Sequence, residues 1–350
     1  MSLLLVSTRT GSGKTTIGLG MAKNWQEEGE DVGYLKPWAD RLGDKESLVY
    51  DKDAEAFKHT LNLPGNLDQF SIVPDYETFI ENPPMEEKET TESLIERYDK
   101  ISKNKNITLI EGPRNFSFGT YLGLSASDIA KELESKIIIV ANGDLGVIMD
   151  KALICKSIFE SCGLDVMGTV INMAEDREEM LKLAKPALEK KGLRVLGIVP
   201  NQRKISYLTP RRIAEELGGK ILAGEGGLDR EVGHTAVGAL TVSRALGPMR
   251  KRRNIALITG GDRTDMQLAS FEVSTSCLIL SGGIFPDQTV LSKAEQDDIP
   301  VLLVSEYTYD VAKKVEHIVP TIKPGEEDKI ESIKNTVNEF LPLDEIKELL

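Results

Sequence analysis

Residues 8–16, Thr-Arg-Thr-Gly-Ser-Gly-Lys-Thr-Thr, have the types and spacing from which anion chemistry can be built. Gly11 and Gly13 let a backbone close around an anion with no Cβ in the way. Successive N–H groups in such a loop point into one concavity, and a helix starting at Lys14 adds positive potential. Lys14 would neutralise terminal phosphate charge and the Thr15 hydroxyl would sit on a divalent cation. Arg9, Thr10, Ser12 and Thr16 complete the candidate cradle. Thr8 stands where such loops usually carry their first glycine, so the pattern is a variant. The competing reading, a plain Gly-Ser turn before a helix, is weaker because strand, loop, Lys-Thr pair and helix all agree.

Those residues need a rigid frame. Leu3-Leu4-Leu5-Val6 reads as a buried strand before the loop, and Ile17, Leu19, Met21, Ala22 and Trp25 follow at helical spacing. Strands are predicted at 2–6, 32–36, 107–111, 136–141, 166–172 and 194–198, several as near-continuous Val/Ile/Leu runs buried on both faces. Helices are predicted at 14–28, 148–161 and 175–191, with Gly29, Gly163 and Gly192 where they should stop. The fold class is therefore α/β, a parallel sheet with helices on both faces. The 41–106 stretch is acidic and broken by Pro64, Pro74, Pro83 and Pro84; it reads as a helical and loop excursion over one end of the sheet.

The pattern resets near residue 206. A helix from Leu208 to Leu217 with Pro210 in its first turn opens a second, smaller α/β series. Its strands are expected at 220–223, 255–259, 276–280 and 301–304, and its helices at 264–272, 288–296 and 308–315. Thr259-Gly260-Gly261-Asp262-Arg263 and Ser281-Gly282-Gly283 form glycine turns at its centre. The resulting domains are 1–205, 206–322 and a charged helical tail, 323–350.

Three polar residues end predicted strands, where open α/β sheets bind ligands. Lys36, before Pro37, could meet a carboxylate or phosphate, or could be an exposed strand-end lysine. Glu111, before Gly112, is placed to hold Mg²⁺ beside the loop, or is a solvated acid. Asn172 could pair with a nucleobase edge, or could simply form a turn.

Composition removes several classes. The chain has 350 residues, 40% hydrophobic and 28% charged, with a net charge of −13. Residues 40–106 hold 16 acids against 9 bases, a local −7 that opposes nonspecific nucleic-acid binding. Arg250-Lys251-Arg252-Arg253 reads as a solvated lead-in to a strand, or a contact for an acidic partner. No run approaches the roughly 20 apolar residues of a membrane span. Cys155, Cys162 and Cys277 form no CxxC pair, and His59, His234 and His317 lie far apart, which leaves neither a disulfide framework nor a zinc site. A cytoplasmic protein is expected.

Taken in order, Thr8 to Thr15, Gly33-Tyr34-Leu35-Lys36-Pro37, Ile110-Glu111-Gly112, Leu145-Gly146-Val147-Ile148, Gly168-Thr169-Val170-Ile171-Asn172 and Leu196-Gly197-Ile198-Val199-Pro200 resemble dethiobiotin synthetase and related amide-forming ligases. The resemblance implies ATP and Mg²⁺, with Thr15, Glu111 and Asp53 as metal ligands and Asn172 near adenine. It also puts Pro200 among the nucleotide contacts and gives Lys36 a substrate carboxylate or carbamate. Lys14, Lys36 and Glu111 would be the catalytic set. Gly112-Pro113-Arg114-Asn115 replaces the glycine-rich run of those ligases, and Arg9 stands where they have an aspartate. The stretches Ile213–Gly218, Gly224–Asp229, Thr259–Asp265 and Leu280–Gly283 resemble the DRTGG domain, although Asp265-Met266 replaces the two glycines of the name.

Together the halves resemble the N-terminal part of long phosphotransacetylases. This implies an ATP-binding regulatory protein with a small-molecule effector at the DRTGG domain, not itself an acetyltransferase. The alternative is an ATP-dependent, carboxylate-activating ligase. A homodimer is expected from the prevalence of twofold symmetry.

Overall fold

The computed structural model describes residues 1–39, 42–45, 48–72, 87–201, 208–318, 322 and 325–350. The chain divides into two compact units, one formed by residues 1–205 with 321–350, the other by residues 206–320.

In the first unit, β1 (Ser2–Ser7) is followed by α1 (Lys14–Glu27) and β2 (Val32–Leu35). A short antiparallel pair, β3 (Leu42–Lys45) and β4 (Leu48–Asp51), leads into α2 (Lys52–Leu61). Then come α3 (Glu87–Ser102), β5 (Ile107–Glu111), α4 (Ala126–Glu132), β6 (Lys136–Ala141), α5 (Leu145–Ser161), β7 (Val166–Ala174), α6 (Lys185–Lys190) and β8 (Val195–Pro200). Six parallel strands lie in the order β2-β5-β1-β6-β7-β8. The chain places β2 and β5 on one side of β1 and then crosses to β6, β7 and β8 on the other, so the carboxyl end of β1 lies at the switch point of the sheet. The candidate loop emerges there. β1 is buried at every position because helices cover both faces of the sheet.

The β3–β4 pair and the long α3 give the 41–106 excursion more regular structure than expected; residues 40, 41, 46, 47 and 73–86 lie outside the described set. The helix expected at 175–191 breaks into Arg177–Glu179, a π-turn over Met180–Ala184, and α6. Pro186 explains the break: it has no N–H for a regular i→i−4 bond, and a π-turn absorbs the gap.

In the second unit, α7 (Pro210–Leu217) starts on Thr209, whose hydroxyl accepts from the Arg212 N–H, with Pro210 at the first helical position. β9 (Lys220–Ala223), β10 (His234–Val237), α8 (Val242–Met249), β11 (Ile255–Gly260), α9 (Thr264–Ser270), β12 (Thr275–Ser281), α10 (Gln288–Asp297), β13 (Val301–Leu303) and α11 (Thr308–His317) follow. The sheet order is β10-β11-β12-β13-β9, parallel except for β9. β10 escaped the sequence reading because its His-Thr-Ala-Val is an exposed edge without an apolar run. The Arg250–Arg253 run is exposed immediately before β11, with Arg250 3.7 Å from Glu272.

The last helices, α12 (Glu327–Phe340) and α13 (Leu343–Glu348), are not a separate tail. Ile330, Ile333, Val337, Leu343 and Ile346 are buried in the same core as Ile17, Met21 and Trp25 of α1. Gly20 permits the approach: a Cβ there would lie 2.4 Å from the Val337 methyl. Asn24 Nδ2 also donates to the Lys334 carbonyl at 3.0 Å. The charged residues of this stretch occupy the outer face of an amphipathic helix, which is why its composition reads as a solvated tail. Burial pushes the Cys155 and Cys277 thiols up to about 12, so both are packing groups. Among the described residues no helix is long and apolar enough to cross a membrane.

Candidate functional site

The loop between β1 and α1 turns on Gly11 (φ 77°) and Gly13 (φ 83°), both in the left-handed region where a side chain would be strained. Lys14 is buried, and its Nζ donates to Ser7 Oγ at 2.9 Å. Ser7 in turn donates to the Arg114 carbonyl at 2.9 Å, so the end of β1 sets the lysine's position. Thr15 Oγ1 donates to Glu111 Oε1 at 2.9 Å, and Tyr34 OH donates to Glu111 Oε2 at 3.0 Å. Thr16 is half-buried in the first turn of α1, and Arg9 and Thr10 are exposed on the crest.

Two asparagines hold that crest. Asn142, just after β6, accepts at Oδ1 from Arg9 Nε (2.8 Å) and from the Ser12 hydroxyl (2.9 Å). Asn172, on β7, donates from Nδ2 to the Ser12 carbonyl at 2.9 Å. Its amide lies so close that a Cβ on Gly13 would come within 2.2 Å of it. Asn172 thus contacts the loop itself. Pro200 ends β8 opposite Ala174, and β6 and β7 separate its strand from β1.

Beside the loop lies a buried charge cluster. Lys36 is 1% exposed and its Nζ stands 2.7 Å from Asp53, 3.1 Å from Asp51 and 3.8 Å from Glu111. The structure therefore brings Lys36, Asp53, Glu111, Thr15 and Lys14 into one region. It adds three residues that the sequence reading missed: Ser7, Tyr34 and Asp51. Asp51 caps α2, its Oδ1 accepting from the Asp53 and Ala54 N–H groups at 2.9 Å each, a spacing visible in Asp51-Lys52-Asp53-Ala54. Asn142 was also missed, although a polar residue ending a strand next to β1 met the criterion that selected Asn172.

Burial raises the Glu111 carboxyl above the usual carboxylate range, opposed by Lys36 and Lys14 and reinforced by Asp53 and Asp51. Burial likewise pushes the Tyr34 phenol well above its usual range, with Glu111, Asp51 and Asp53 adding to the effect. The Thr8 hydroxyl, at the variant position of the loop, is buried with no partner among the described residues. A magnesium ion, which such a loop implies, would meet hard oxygen donors here in Thr15 and Glu111. Among the described residues no three or more His, Cys, Asp or Glu side chains form a metal cage, so phosphate oxygens and water would complete the shell. The residues present fit the group.

The second unit also ends its parallel strands in glycine turns, but of another kind. A Cβ on Gly261 would lie 1.8 Å from the Ile284 carbonyl, so the two turns press backbone to backbone. The Gly282 and Gly283 N–H groups already donate to the Glu306 and Val304 carbonyls at 2.8 and 2.9 Å. Arg263 donates to the Gly238 and Leu240 carbonyls and to Asp265. Thr259 Oγ1 and Gln267 Oε1 are buried without partners among the described residues.

Comparison with known sequences decides the family. The pattern of the AAA domain family matches residues 1–208, and that of the DRTGG domain matches residues 212–318. The chain belongs to the AAA domain family. The phosphate acetyltransferase of Nitratidesulfovibrio vulgaris is 24% identical over 94% of this chain and 49% of its own length. That of Pseudomonas putida is 24% identical over 97% of this chain and 50% of its own. The chain thus spans about half the length of these relatives. The ATP-dependent dethiobiotin synthetase BioD of Methanocaldococcus jannaschii is 27% identical over 57% of this chain and 94% of its own length. Among solved structures, the MinD cell division protein of Aquifex aeolicus aligns over 58% of this chain and 83% of its own, at 14% identity and a TM-score of 0.39. This AAA domain, joined to a DRTGG domain, is homologous to the N-terminal region of phosphate acetyltransferases and to BioD.

Proposed function

We propose that this AAA-domain protein binds ATP with Mg²⁺ at the β1–α1 loop and acts as a regulatory, nucleotide-sensing module. The carrying observation is the alignment of one buried ammonium, Lys14, and one hydroxyl, Thr15, at a glycine loop, with the hydroxyl held by Glu111. Lys14 binds terminal phosphate charge, Thr15 and Glu111 hold the ion, and the backbone N–H groups around Gly11 and Gly13 cradle the phosphates. Bound magnesium would neutralise phosphate charge and fix the triphosphate's orientation.

Binding is favoured over rapid chemistry by the state of Lys36. Its ammonium is already engaged by Asp53 and Asp51, where a ligase needs it for substrate. Pro113 and Arg114 also occupy the turn after Glu111, with the Arg114 guanidinium 5.1 Å from the centre of the Phe118 ring. The DRTGG domain would carry the regulatory output, its effector being a small molecule. Calorimetric titration with Mg-ATP tests this reading: stoichiometric binding that disappears in Lys14→Ala is expected, and identical heats for both proteins would refute it.

The ligase reading keeps one observation in its favour, the convergence of Lys36, Asp53 and Glu111 beside the loop. It requires ADP release that depends on an added carboxylic acid and fails in Lys36→Ala.

A further inference from the structure

A groove of about 660 Å³ lies beside β2, lined by the start of that strand, the 63–70 turn and the last turns of α3. Its volume falls within the range of small-molecule sites. Tyr34, Leu63 and Phe70 form a buried apolar floor. Gly33 brings the groove walls together: a Cβ there would meet the Ile101 carbonyl and the Lys105 stem at 3.2 and 3.3 Å.

The rim reverses the sign of the chain around it. Arg97, Lys100, Lys103 and Lys105 face Asp68 and Glu96, four cations to two anions, in a stretch that is −7 overall. Lys100 is paired with Glu96 at 2.6 Å, and the Arg97 guanidinium donates to the Asp68 carbonyl, tying one wall to the other. Lys103 and Lys105 make no ion pair among the described residues. They follow the carboxyl end of α3, whose dipole amounts to about half a negative charge, less than the two lysines supply.

We propose that this groove binds a small organic anion, with carboxylate, phosphate or sulfonate oxygens on the lysines and an apolar body against Pro64 and Ile101, above the buried Tyr34 and Phe70. Two of the three floor residues, Tyr34 and Phe70, continue into the phosphate site. Tyr34 OH holds Glu111, and the Phe70 carbonyl accepts from the Lys36 N–H at 2.8 Å. An occupant that moves these rings alters the groups around Thr15, a link that rests on the nucleotide reading above.

The probe is 8-anilinonaphthalene-1-sulfonate, an anion on an apolar ring system, titrated into the full chain by fluorescence and calorimetry. One dye per chain is expected, bound about tenfold more weakly by Lys103→Glu/Lys105→Glu and about threefold by Lys103→Gln/Lys105→Gln. Both pairs are surface changes, and the graded neutral variant reports even where the reversed one is poorly folded. Reversing Lys182 and Lys190, in the π-turn and α6 after β7, leaves dye binding unchanged, as does Lys14→Ala. Equal weakening by both reversals, or loss of dye in Lys14→Ala, overturns the site. Saturating dye is expected to shift Mg-ATP affinity about threefold in the wild type and not in Tyr34→Phe; no shift in the wild type overturns the link. Dye binding without any Mg-ATP binding overturns the nucleotide reading and leaves the groove standing.

Discussion

The two sheets solve the same topological problem with opposite chemistry. Each ends parallel strands in glycine turns at the edge where α/β proteins bind ligands. In the first unit the turn is ringed by acidic and basic side chains, Lys14, Lys36, Asp51, Asp53 and Glu111, all buried. In the second the turns press on each other, the Gly282 and Gly283 N–H groups are taken by neighbouring carbonyls, and the buried polar groups there, Thr259 and Gln267, are neutral. Topology chooses the edge; charge and spare amides choose the ligand. Glycine in the first unit makes room for a guest, whereas Gly261 makes room for the protein's own backbone.

The sharpest way to break this contrast is to add one methyl group at each turn. Gly261→Ala should destabilise the second unit by about 3 kcal/mol, since its Cβ would lie 1.8 Å from a main-chain oxygen that cannot swing away. Chemical denaturation reads that loss, and a wild-type midpoint would show that the turns are not packed as described. Next in size, Lys14→Ala should weaken Mg-ATP binding by about 100-fold or ~2.7 kcal/mol, while leaving the melting of the second unit in place. A variant that melts as a whole at lower temperature would make Lys14 structural.

The third effect depends on pH. Tyr34 titrates above the ordinary tyrosine value in the folded protein, so the unfolded chain loses that proton first. Stability therefore holds below about pH 10 and falls by up to ~1.4 kcal/mol per pH unit above it. Tyr34→Phe should lack that component of the alkaline slope; equal slopes would place the phenol in water. The smallest effect belongs to Asn142→Ala, expected to weaken Mg-ATP by about fivefold, or ~1 kcal/mol, by freeing Ser12 and Arg9. Asn142→Asp keeps the acceptor and should restore part of it. No change in either variant would leave Asn172 alone as the clip.

How far the residues alone predicted this architecture follows from burial. Strands of continuous Val, Ile and Leu, such as Lys136–Ala141, were legible because a buried parallel strand can be little else. The loop was legible because glycine, lysine and threonine at that spacing have few other uses. What escaped was the structure set by exposure or by distance along the chain. The edge strand at His234 has no apolar signature. Asn142 acquires its role from residues 130 and 133 positions away. Lys36 was recognised as a strand-end lysine, but the depth of its burial comes from Asp51 and Asp53, which a later helix start supplies.

The return of α12 to the face of α1 makes the second unit a graft within the first, spliced in at two junctions. A gene cut after residue 205 would therefore strip the phosphate-loop helix of its cover and leave Met21 and Trp25 against water. Such a fragment should clump during expression whatever its affinity for nucleotide. An internal excision of 206–320 is the form in which the first unit can be studied on its own.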